Sequence, residues 1–160
     1  MSNHGPTLYI CRGLPGSGKS SLAKVLAPHA NFAADDFFED GQGGYDFNPA
    51  LLRDAHEDCM ARTKKAMVRR EPTVAVHNTF SRPWEVKTYF AMAEEHGYSV
   101  FIVEAQNDFG NVHGVPQATI ENMRDRWEPL VGEKTGLLRQ LRFQVNELKF
   151  KMLHKLPWRR

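Results

Sequence analysis

Apolar residues along this chain follow two spacings that alternate from Thr7 to Glu104. Short runs rich in β-branched and aromatic residues predict four buried strands, at residues 7–11, 31–34, 73–76 and 99–104. Longer stretches with apolar residues three and four positions apart predict helices at residues 21–26, 49–70 and 83–96. Because strands and helices alternate, the pattern predicts an α/β fold in which a parallel sheet of about five strands is flanked by helices.

The pattern changes after residue 104. Residues 107–116 contain two glycines and show no periodicity, so we expect a lid loop there, followed by a helix at residues 117–127. Residues 141–145 and 148–152 alternate apolar and polar positions, which favours a hairpin, but a helical stripe also fits this region and both interpretations stay open. Without repeats or a linker, we expect one domain over residues 1–160, with residues 135–160 as its C-terminal extension.

Residues 13–20 read GLPGSGKS and match the phosphate-binding loop G-x-x-x-x-G-K-[ST] at every fixed position. The loop follows a predicted strand and precedes a predicted helix, as the motif requires. Glycines allow the backbone N–H groups to turn inward toward phosphate oxygens at the positive end of the helix. We expect Lys19 to reach the β- and γ-phosphates and the Ser20 hydroxyl to bind Mg²⁺. The predicted nucleotide-binding residues of this loop are Gly13, Leu14, Pro15, Gly16, Ser17, Gly18, Lys19, Ser20 and Ser21.

Polar residues follow the second and third predicted strands, at the edge of the sheet where such folds bind ligands. The first pair is Asp35 and Asp36; Asp35 could accept a hydroxyl proton or serve as a second Mg²⁺ ligand, and Asp36 could contact an acceptor. Asn78 and Thr79 could orient an acceptor or a phosphate, or they could cap the next helix. His77 stands where many nucleotide-binding folds place an acidic residue.

Aromatic residues surround a glycine-rich loop at residues 40–48. Phe38, Tyr45 and Phe47 could stack on a base of the acceptor, since stacking tolerates any base. Alternatively, they could clamp the loop to the hydrophobic core, which is the commoner role of a single aromatic side chain.

The predicted helix at residues 117–127 carries two arginines. An arginine beside the transferring phosphates stabilises the charge that spreads over the equatorial oxygens in the transition state. Arg126 is the first candidate for this role and Arg124 the second. The alternative is a surface ion pair between Arg126 and Glu121, Asp125 or Glu128.

Composition excludes several classes of protein. With 41% hydrophobic and 25% charged residues, the chain is typical of globular domains, not of disordered or fibrous ones. Cys11 and Cys59 lack any metal-binding spacing and are expected to be packed thiols. No apolar run approaches membrane-spanning length and no signal segment is evident, so we expect a soluble, cytoplasmic protein without a membrane partner.

Charge is distributed unevenly along the chain. The net charge is +2, but residues 135–160 contain seven Lys or Arg against one Glu, a net +6 that leaves −4 for the rest. A basic face on a nucleotide-binding domain indicates a polyanionic partner such as DNA, with Lys149 and Lys151 as candidate contacts. A solvated cationic tail explains the same charges equally well.

Taken together, the motifs resemble those of the small P-loop kinases grouped around polynucleotide kinase, zeta toxin and the ATP-binding domain of NEDD4-binding-protein-like proteins. The shared segments run in order from Thr7 to Glu128. They are GLPGSGKSSLA at 13–23, ADDFF at 34–38, GxYxFNPxLLxxAH at 43–56, NTFSRPWExxxY at 78–89, HGVP at 113–116 and IxxMxxRWE at 120–128.

The resemblance implies a P-loop kinase that uses ATP and Mg²⁺ to phosphorylate a hydroxyl group. Asp35 matches the general base of the family, Lys19 would stabilise charge on the β- and γ-phosphates, and Arg126 would lie over the nucleotide. Two departures are evident: Phe109 and Gly110 stand where the family usually carries lid arginines, and His77 replaces a frequent Asp.

Within this group the chain is most similar to phage kinases that phosphorylate 5-hydroxymethyluracil in DNA. That similarity implies a DNA acceptor, with His113 of the HGVP motif on the acceptor side, and the host cytoplasm as location if the source is a phage. A 5′-hydroxyl polynucleotide kinase, a small-molecule kinase like zeta toxin and a non-catalytic ATP-dependent nucleic-acid-binding switch are the alternatives.

Overall fold

The structure is a computed structural model that describes residues 5–110 and 114–130 with their side chains and residues 138–143 by backbone alone. The strands are β1 (Thr7–Arg12), β2 (Asn31–Phe32), β3 (Thr73–His77), β4 (Ser99–Ala105) and β5 (Leu138–Phe143). The α-helices are α1 (Lys19–Leu26), α2 (Leu52–Val68), α3 (Lys87–His96) and α4 (Gln117–Asp125). Short 3₁₀-helices lie at Asp35–Phe38, Pro49–Leu51 and Pro83–Val86.

All described strand pairs are parallel, in the order β2-β3-β1-β4-β5. The predicted α/β fold with a parallel sheet flanked by helices is therefore confirmed. β1 is central: Cys11 lies opposite His77 of β3 and Val103 of β4, and Arg12 lies opposite Glu104. Because parallel strands end at the same edge, this register brings the P-loop (residues 13–20) beside the residues that follow β3 and β4.

The sheet is buried on both faces, as parallel sheets are. One face packs against α2 and α3 around a large apolar cluster that includes Ile10, Val76 and Ile102. The other face packs against α1 through a smaller cluster that includes Cys11 and Leu22. Full burial of one such aliphatic side chain contributes about 1.5–3 kcal/mol, so these clusters fix α1 and the strand ends that carry the site.

The second strand is shorter than its apolar run predicted. It ends at Phe32, and Asp35 and Asp36 lie in a 3₁₀-helix, not directly at a strand end. The reason is local, because the Asp36 carboxylate accepts a hydrogen bond from the Ala33 N–H at 2.8 Å and turns the backbone there. The carboxylates still lie just beyond the carboxyl edge of the sheet.

Helix predictions agree with the structure apart from their ends and one side chain. α3 ends where predicted, at Gly97, which adopts a left-handed conformation with φ 72°. α4 ends at Asp125, two residues before the predicted end. Trp84, which helical spacing assigns to the packing face, is 63% exposed instead. Its 3₁₀-turn rotates it away from the face that an α-helix would present.

Two further predictions concern the cysteines and the C-terminal region. Cys11 and Cys59 are both free and buried, as expected. Residues 138–143 form a strand beside β4, so the helical interpretation is wrong for this segment. The second half of the predicted hairpin lies outside the described residues. In the part of the chain that the structure describes, every helix is too short or too polar to cross a membrane.

Candidate nucleotide and acceptor site

The P-loop connects β1 directly to α1, and two of its glycines are required by close packing. Gly18 caps α1 with φ 92°, a left-handed conformation that side chains disfavour. A Cβ at Gly18 would lie 3.0 Å from Cε2 of Phe109. A Cβ at Gly13 would lie 2.7 Å from the carbonyl oxygen of Ala105, which is backbone and cannot move aside. The loop therefore has the tight shape that a backbone anion cradle needs.

Lys19 lies across the P-loop. Its Nζ donates a hydrogen bond to the carbonyl oxygen of Leu14 at 3.0 Å. Burial lowers the pKa of Lys19 to about 8, and the negative charge of Asp35 partly opposes that shift. The ammonium is thus poorly compensated in the free protein, and phosphate oxygens in the loop would supply the missing negative charge.

Ser20 and His77 meet at the first turn of α1. The Ser20 Oγ lies 3.3 Å from Nδ1 of His77, and burial lowers the pKa of His77 to about 4, so the imidazole is neutral at pH 7. Neutral Nδ1 can then accept the Ser20 proton, which leaves the hydroxyl lone pairs directed outward. The exposed Ser20 hydroxyl and the exposed Asp35 carboxylate are oxygen donors that suit Mg²⁺ bound mainly through water and phosphates. Among the described residues, no three His, Cys, Asp or Glu side chains converge on a metal position.

The two neighbouring carboxylates have different surroundings. Asp35 is exposed, and its Oδ1 accepts a hydrogen bond from the Tyr45 hydroxyl at 3.4 Å. Asp36 instead accepts hydrogen bonds inside the protein, from the Ala33 N–H and from Arg62, each at 2.8 Å. These contacts give Asp36 a structural role, and a further contact with an acceptor stays a prediction. Asp35 is the carboxylate that is open to an incoming hydroxyl group.

Four aromatic rings form an aromatic cluster beside Asp35: Phe37, Phe38, Tyr45 and Phe47. Phe38 is buried at the centre and meets the other three rings edge to face. Phe37 and Phe47 remain 40% and 47% exposed. Phe38 thus has the clamping role, whereas Phe47 presents an accessible edge of the cluster. Burial, together with the charge of Asp35, raises the pKa of Tyr45 to about 12.

Asn78 and Thr79 connect the end of β3 to both sides of the site. The buried Asn78 side chain accepts a hydrogen bond from the Ala34 N–H at 2.9 Å, so it fixes the start of the 3₁₀-helix that carries Asp35. The Thr79 carbonyl oxygen accepts a hydrogen bond from the Gly13 N–H at 3.3 Å. Neither side chain caps the following helix, whose N-cap is Arg82. Direct acceptor binding by Asn78 and Thr79 stays a prediction.

Arg124 lies in the last turn of α4, and Arg126 follows directly as the C-cap of that helix. The Arg126 Nε donates to the Ser81 Oγ at 3.1 Å, and the alternative, a surface ion pair of Arg126, does not form among the described residues. Arg124 lines a cavity of about 390 Å³ between the P-loop, the end of β4 and α4. The other lining residues are Leu14, Ser17, Glu104, Ala105, Gln106, Asn107 and Trp127. A cavity of this size suits a nucleoside.

Sequence reasoning missed Arg12, the residue before the P-loop. Arg12 is fully buried and its guanidinium lies 3.9 Å from the centre of the Trp127 ring. It donates a hydrogen bond to the Glu128 carbonyl oxygen at 2.9 Å and lies 3.6 Å from the Glu104 carboxylate. A signal was present, because a charged residue interrupts an otherwise apolar strand next to a phosphate-binding motif.

Residues 107–110 bring Phe109 onto the P-loop. The Phe109 N–H donates to the Gly16 carbonyl oxygen at 2.9 Å, and its ring lies against Gly18. This side chain, not an arginine, therefore covers the loop from the start of the predicted lid. His113 and the basic residues Lys149 and Lys151 lie outside the described residues, so their predicted roles stay predictions.

The structure thus brings Lys19, Ser20 and Asp35 to one edge of the sheet, with Arg124 in the cavity beside the P-loop and Arg126 bonded to Ser81. Together the fold and the loop define a P-loop domain of the kinase-like class. A family model described as an AAA domain matches residues 8–108, and the chain belongs to that family.

One relative is NEDD4-binding protein 2 from Homo sapiens. The chain is 32% identical to it over 140 residues, which cover 79% of this chain. The chain spans only 8% of the length of that relative. The similarity therefore concerns one domain of a much longer protein.

Solved structures share the fold. A proposed kinase from Chloroflexus aurantiacus superposes with a TM-score of 0.60 at 15% identity, covering 96% of this chain and 100% of that one. A chain of the Pnkp1/Rnl/Hen1 RNA repair complex superposes with a TM-score of 0.51 at 19% identity, covering 84% of this chain and 42% of that one. At these identities the comparison establishes the fold alone.

Proposed function

We propose that the chain is an ATP-dependent kinase that transfers the γ-phosphoryl group to a hydroxyl group on nucleic acid. The observation that carries this proposal is the placement of Asp35, an exposed carboxylate that follows Ala34, whose N–H is bonded to Asn78 at the end of β3. A base at the sheet edge that also carries the phosphate-binding loop suits transfer to an alcohol. The kinase-like fold supports the same reaction class.

In the proposed reaction, Asp35 accepts the proton of the acceptor hydroxyl while the hydroxyl oxygen attacks the γ-phosphorus. The bond between the γ-phosphorus and the β,γ-bridging oxygen breaks, its electron pair leaves with ADP, and the proton later passes from Asp35 to water. Lys19 and Arg126 stabilise the negative charge on the transferring group. Mg²⁺, held by Ser20 with Asp35 as a second candidate, would neutralise phosphate charge when bound.

The hydrogen bond from Tyr45 and the fixed backbone at Ala34 orient Asp35 for this role. Since the carboxylate is exposed, an acceptor hydroxyl group can reach it, and its function as a base depends on its position. The neighbouring cavity, with Trp127 and Arg124 in its lining, accommodates the nucleoside of ATP beside the P-loop.

For the acceptor we propose the 5-hydroxymethyl group of 5-hydroxymethyluracil in DNA. Three features support this choice: the resemblance to phage kinases of that specificity, the net +6 of residues 135–160, and the aromatic cluster beside Asp35. Basic residues would bind the DNA backbone, and an extruded base would stack on exposed aromatic rings.

The test is incubation of the protein with labelled ATP, Mg²⁺ and one of two substrates. The first is DNA that contains 5-hydroxymethyluracil with blocked 5′ ends, and the second is an unmodified oligonucleotide with a free 5′-hydroxyl. Mass analysis of the nucleosides should show phosphorylated hydroxymethyluracil from the first substrate. If label enters only the 5′ end of the second substrate, the acceptor is the 5′-hydroxyl of the strand and not hydroxymethyluracil. ATP binding without transfer to either would favour a switch or a small-molecule kinase.

A further inference from the structure

We infer that Arg12 is a positioning residue that acts through Ser81 and residues 126–128 to hold Arg126 beside the P-loop. This inference rests on the proposed kinase function. It assigns a role in catalysis to a buried side chain that touches neither the nucleotide loop interior nor the acceptor side.

The burial of Arg12 is unusual for a charged residue. Its side chain is 0% exposed, and full burial of a guanidinium is rare unless the group is paired. Its ion pair with Glu104 is long, at 3.6 Å, and its Nε and Nη1 have no hydrogen-bond partner within the described residues. Placing Arg12 in the core therefore costs free energy that an apolar side chain would not cost. Stability alone does not account for it, because a buried ion pair is often matched by apolar residues.

The hydrogen bonds of Arg12 have two backbone partners, both far from it in sequence. The Arg12 Nη2 donates to the carbonyl oxygens of Glu128 at 2.9 Å and Ser81 at 3.4 Å, while its guanidinium stacks on Trp127. These contacts join the last residue of β1 to the segment after α4. Since Gly13 follows Arg12 directly, Arg12 connects the P-loop to the residues at the end of α4.

Ser81 links Arg12 to Arg126, because each of the two arginines donates a hydrogen bond to it. The Ser81 carbonyl oxygen accepts a hydrogen bond from the Glu128 N–H at 2.8 Å. The Ser81 hydroxyl oxygen accepts a second hydrogen bond, from the Arg126 Nε at 3.1 Å. Arg126 is thus held through Ser81, and the two residues that follow it are held by Arg12. With Nε engaged, the terminal nitrogens of Arg126 make no hydrogen bond within the described residues and stay available for an anion.

A lysine cannot replace Arg12 in this arrangement. The Arg12 guanidinium lies 3.9 Å from the centre of the Trp127 ring while its Nη2 donates to two carbonyl oxygens. A Lys ammonium keeps the positive charge but has no planar group to place over the indole ring. The Arg12→Lys variant therefore separates charge from geometry.

The experiment is a double-mutant cycle on phosphoryl transfer. We expect Arg12→Lys to lower kcat about tenfold or more with little change in the KM for ATP, because the loss is one of transition-state geometry. In an Arg126→Ala background, where no arginine is left to position, Arg12→Lys should change kcat less than about twofold. Ser81→Ala, which removes the hydroxyl that accepts from Arg126 and donates to Glu85, should behave in the same way. It provides a second test if Arg12→Lys does not fold.

Arg62→Lys is the matched control. Arg62 also pairs with carboxylates and lies 5.4 Å from the centre of an aromatic ring, that of Phe32, and none of its hydrogen bonds or ion pairs with described residues reaches α4 or residues 126–130. Its effect on kcat should be the same with and without Arg126, since the two sites share no partner.

Each outcome decides a separate question. Additive effects of Arg12→Lys and Ser81→Ala with Arg126→Ala, in a wild-type protein that transfers phosphate, overturn the positioning role and leave the kinase proposal intact. A wild-type protein that transfers phosphate to no acceptor overturns the proposed function, and the positioning role with it.

Discussion

The P-loop side of the site, residues 12–20 with 104–109 and 124–128, differs in construction from the acceptor side, residues 35–51. On the P-loop side, distant segments hold one another through backbone groups, as in the bonds from Gly13 to Thr79 and from Phe109 to Gly16. The charged group at its base, Arg12, is completely buried. Few of these contacts can change without moving a strand.

Contacts on the acceptor side are mostly local. Asp40 accepts the N–H groups of Gln42 and Gly44, and these bonds lower the pKa of its exposed carboxyl group. The aromatic cluster joins residues close in sequence, and Phe47 remains half exposed. Such a segment has little buried area and can open at low cost in free energy.

This difference teaches how a phosphotransferase can divide its tasks. Under the proposed function, phosphate stabilisation would use donors on the sheet edge, which do not reorganise. Acceptor recognition would use the glycine-rich loop, whose surface can adapt. Asp35 lies where the two sides meet. Asn78 fixes the backbone beside it by accepting a hydrogen bond from the Ala34 N–H, and Tyr45 donates a hydrogen bond to its carboxylate.

The strongest test of this division is Asp35→Asn. The amide keeps the shape and the hydrogen bond to Tyr45 but cannot take a proton, so we expect kcat to fall by about 10²–10⁴. ATP affinity, measured by calorimetry, should stay within about twofold. Asp46→Asn, a change of an exposed carboxylate on the neighbouring glycine-rich loop, is the control. Turnover near the wild-type value would exclude Asp35 as the base and favour a binding switch.

A slightly smaller loss is expected from Lys19→Ala on the P-loop side. Removal of one preorganised cation should lower kcat/KM by about 10²–10³, and it should do so equally for every acceptor. Steady-state kinetics with two acceptors checks this point, with the exposed Lys24→Ala as control. A loss confined to one acceptor would contradict the separation of the two sides.

Because His77 is buried beside the P-loop, the free energy of unfolding should fall at acidic pH. Its pKa of about 4 in the folded chain lies below the ordinary value of 6.5, so the unfolded chain binds the proton more tightly between these values. Stability is therefore lost as the pH falls through this window, by about 2 kcal/mol between pH 7 and 5. Urea unfolding in metal-free buffer should show a smaller loss for His77→Gln. If both proteins lose the same free energy, His77 is not the responsible group.

The smallest expected effect belongs to the acceptor side. Phe47→Leu should raise the KM for a nucleic-acid acceptor about tenfold, because stacking on one base contributes about 1–3 kcal/mol. The KM for ATP should not change. Trp84→Leu, a change at another exposed aromatic residue outside the cluster, is the control, and equal effects of the two variants would contradict base stacking.

Much of the fold and part of the candidate site could be predicted from the sequence. The P-loop motif, its flanking strand and helix, and the parallel sheet follow from residue types whose spacing is set by local geometry. The position of Asp35 at the sheet edge also followed from its place after an apolar run. By contrast, the different surroundings of Asp35 and Asp36 could not be predicted, because they depend on Arg62, 26 residues further along the chain.

The sequence by itself determined the phosphate-binding loop, the α/β class and the order of the elements, since these depend on short-range spacing and on the few conformations open to glycine. Only the tertiary structure decided which polar side chains are open to a substrate and which hold the fold together. That decision depends on partners that are far apart in sequence. Arg12 and Arg126 show it most clearly, because 114 positions separate them and both meet Ser81.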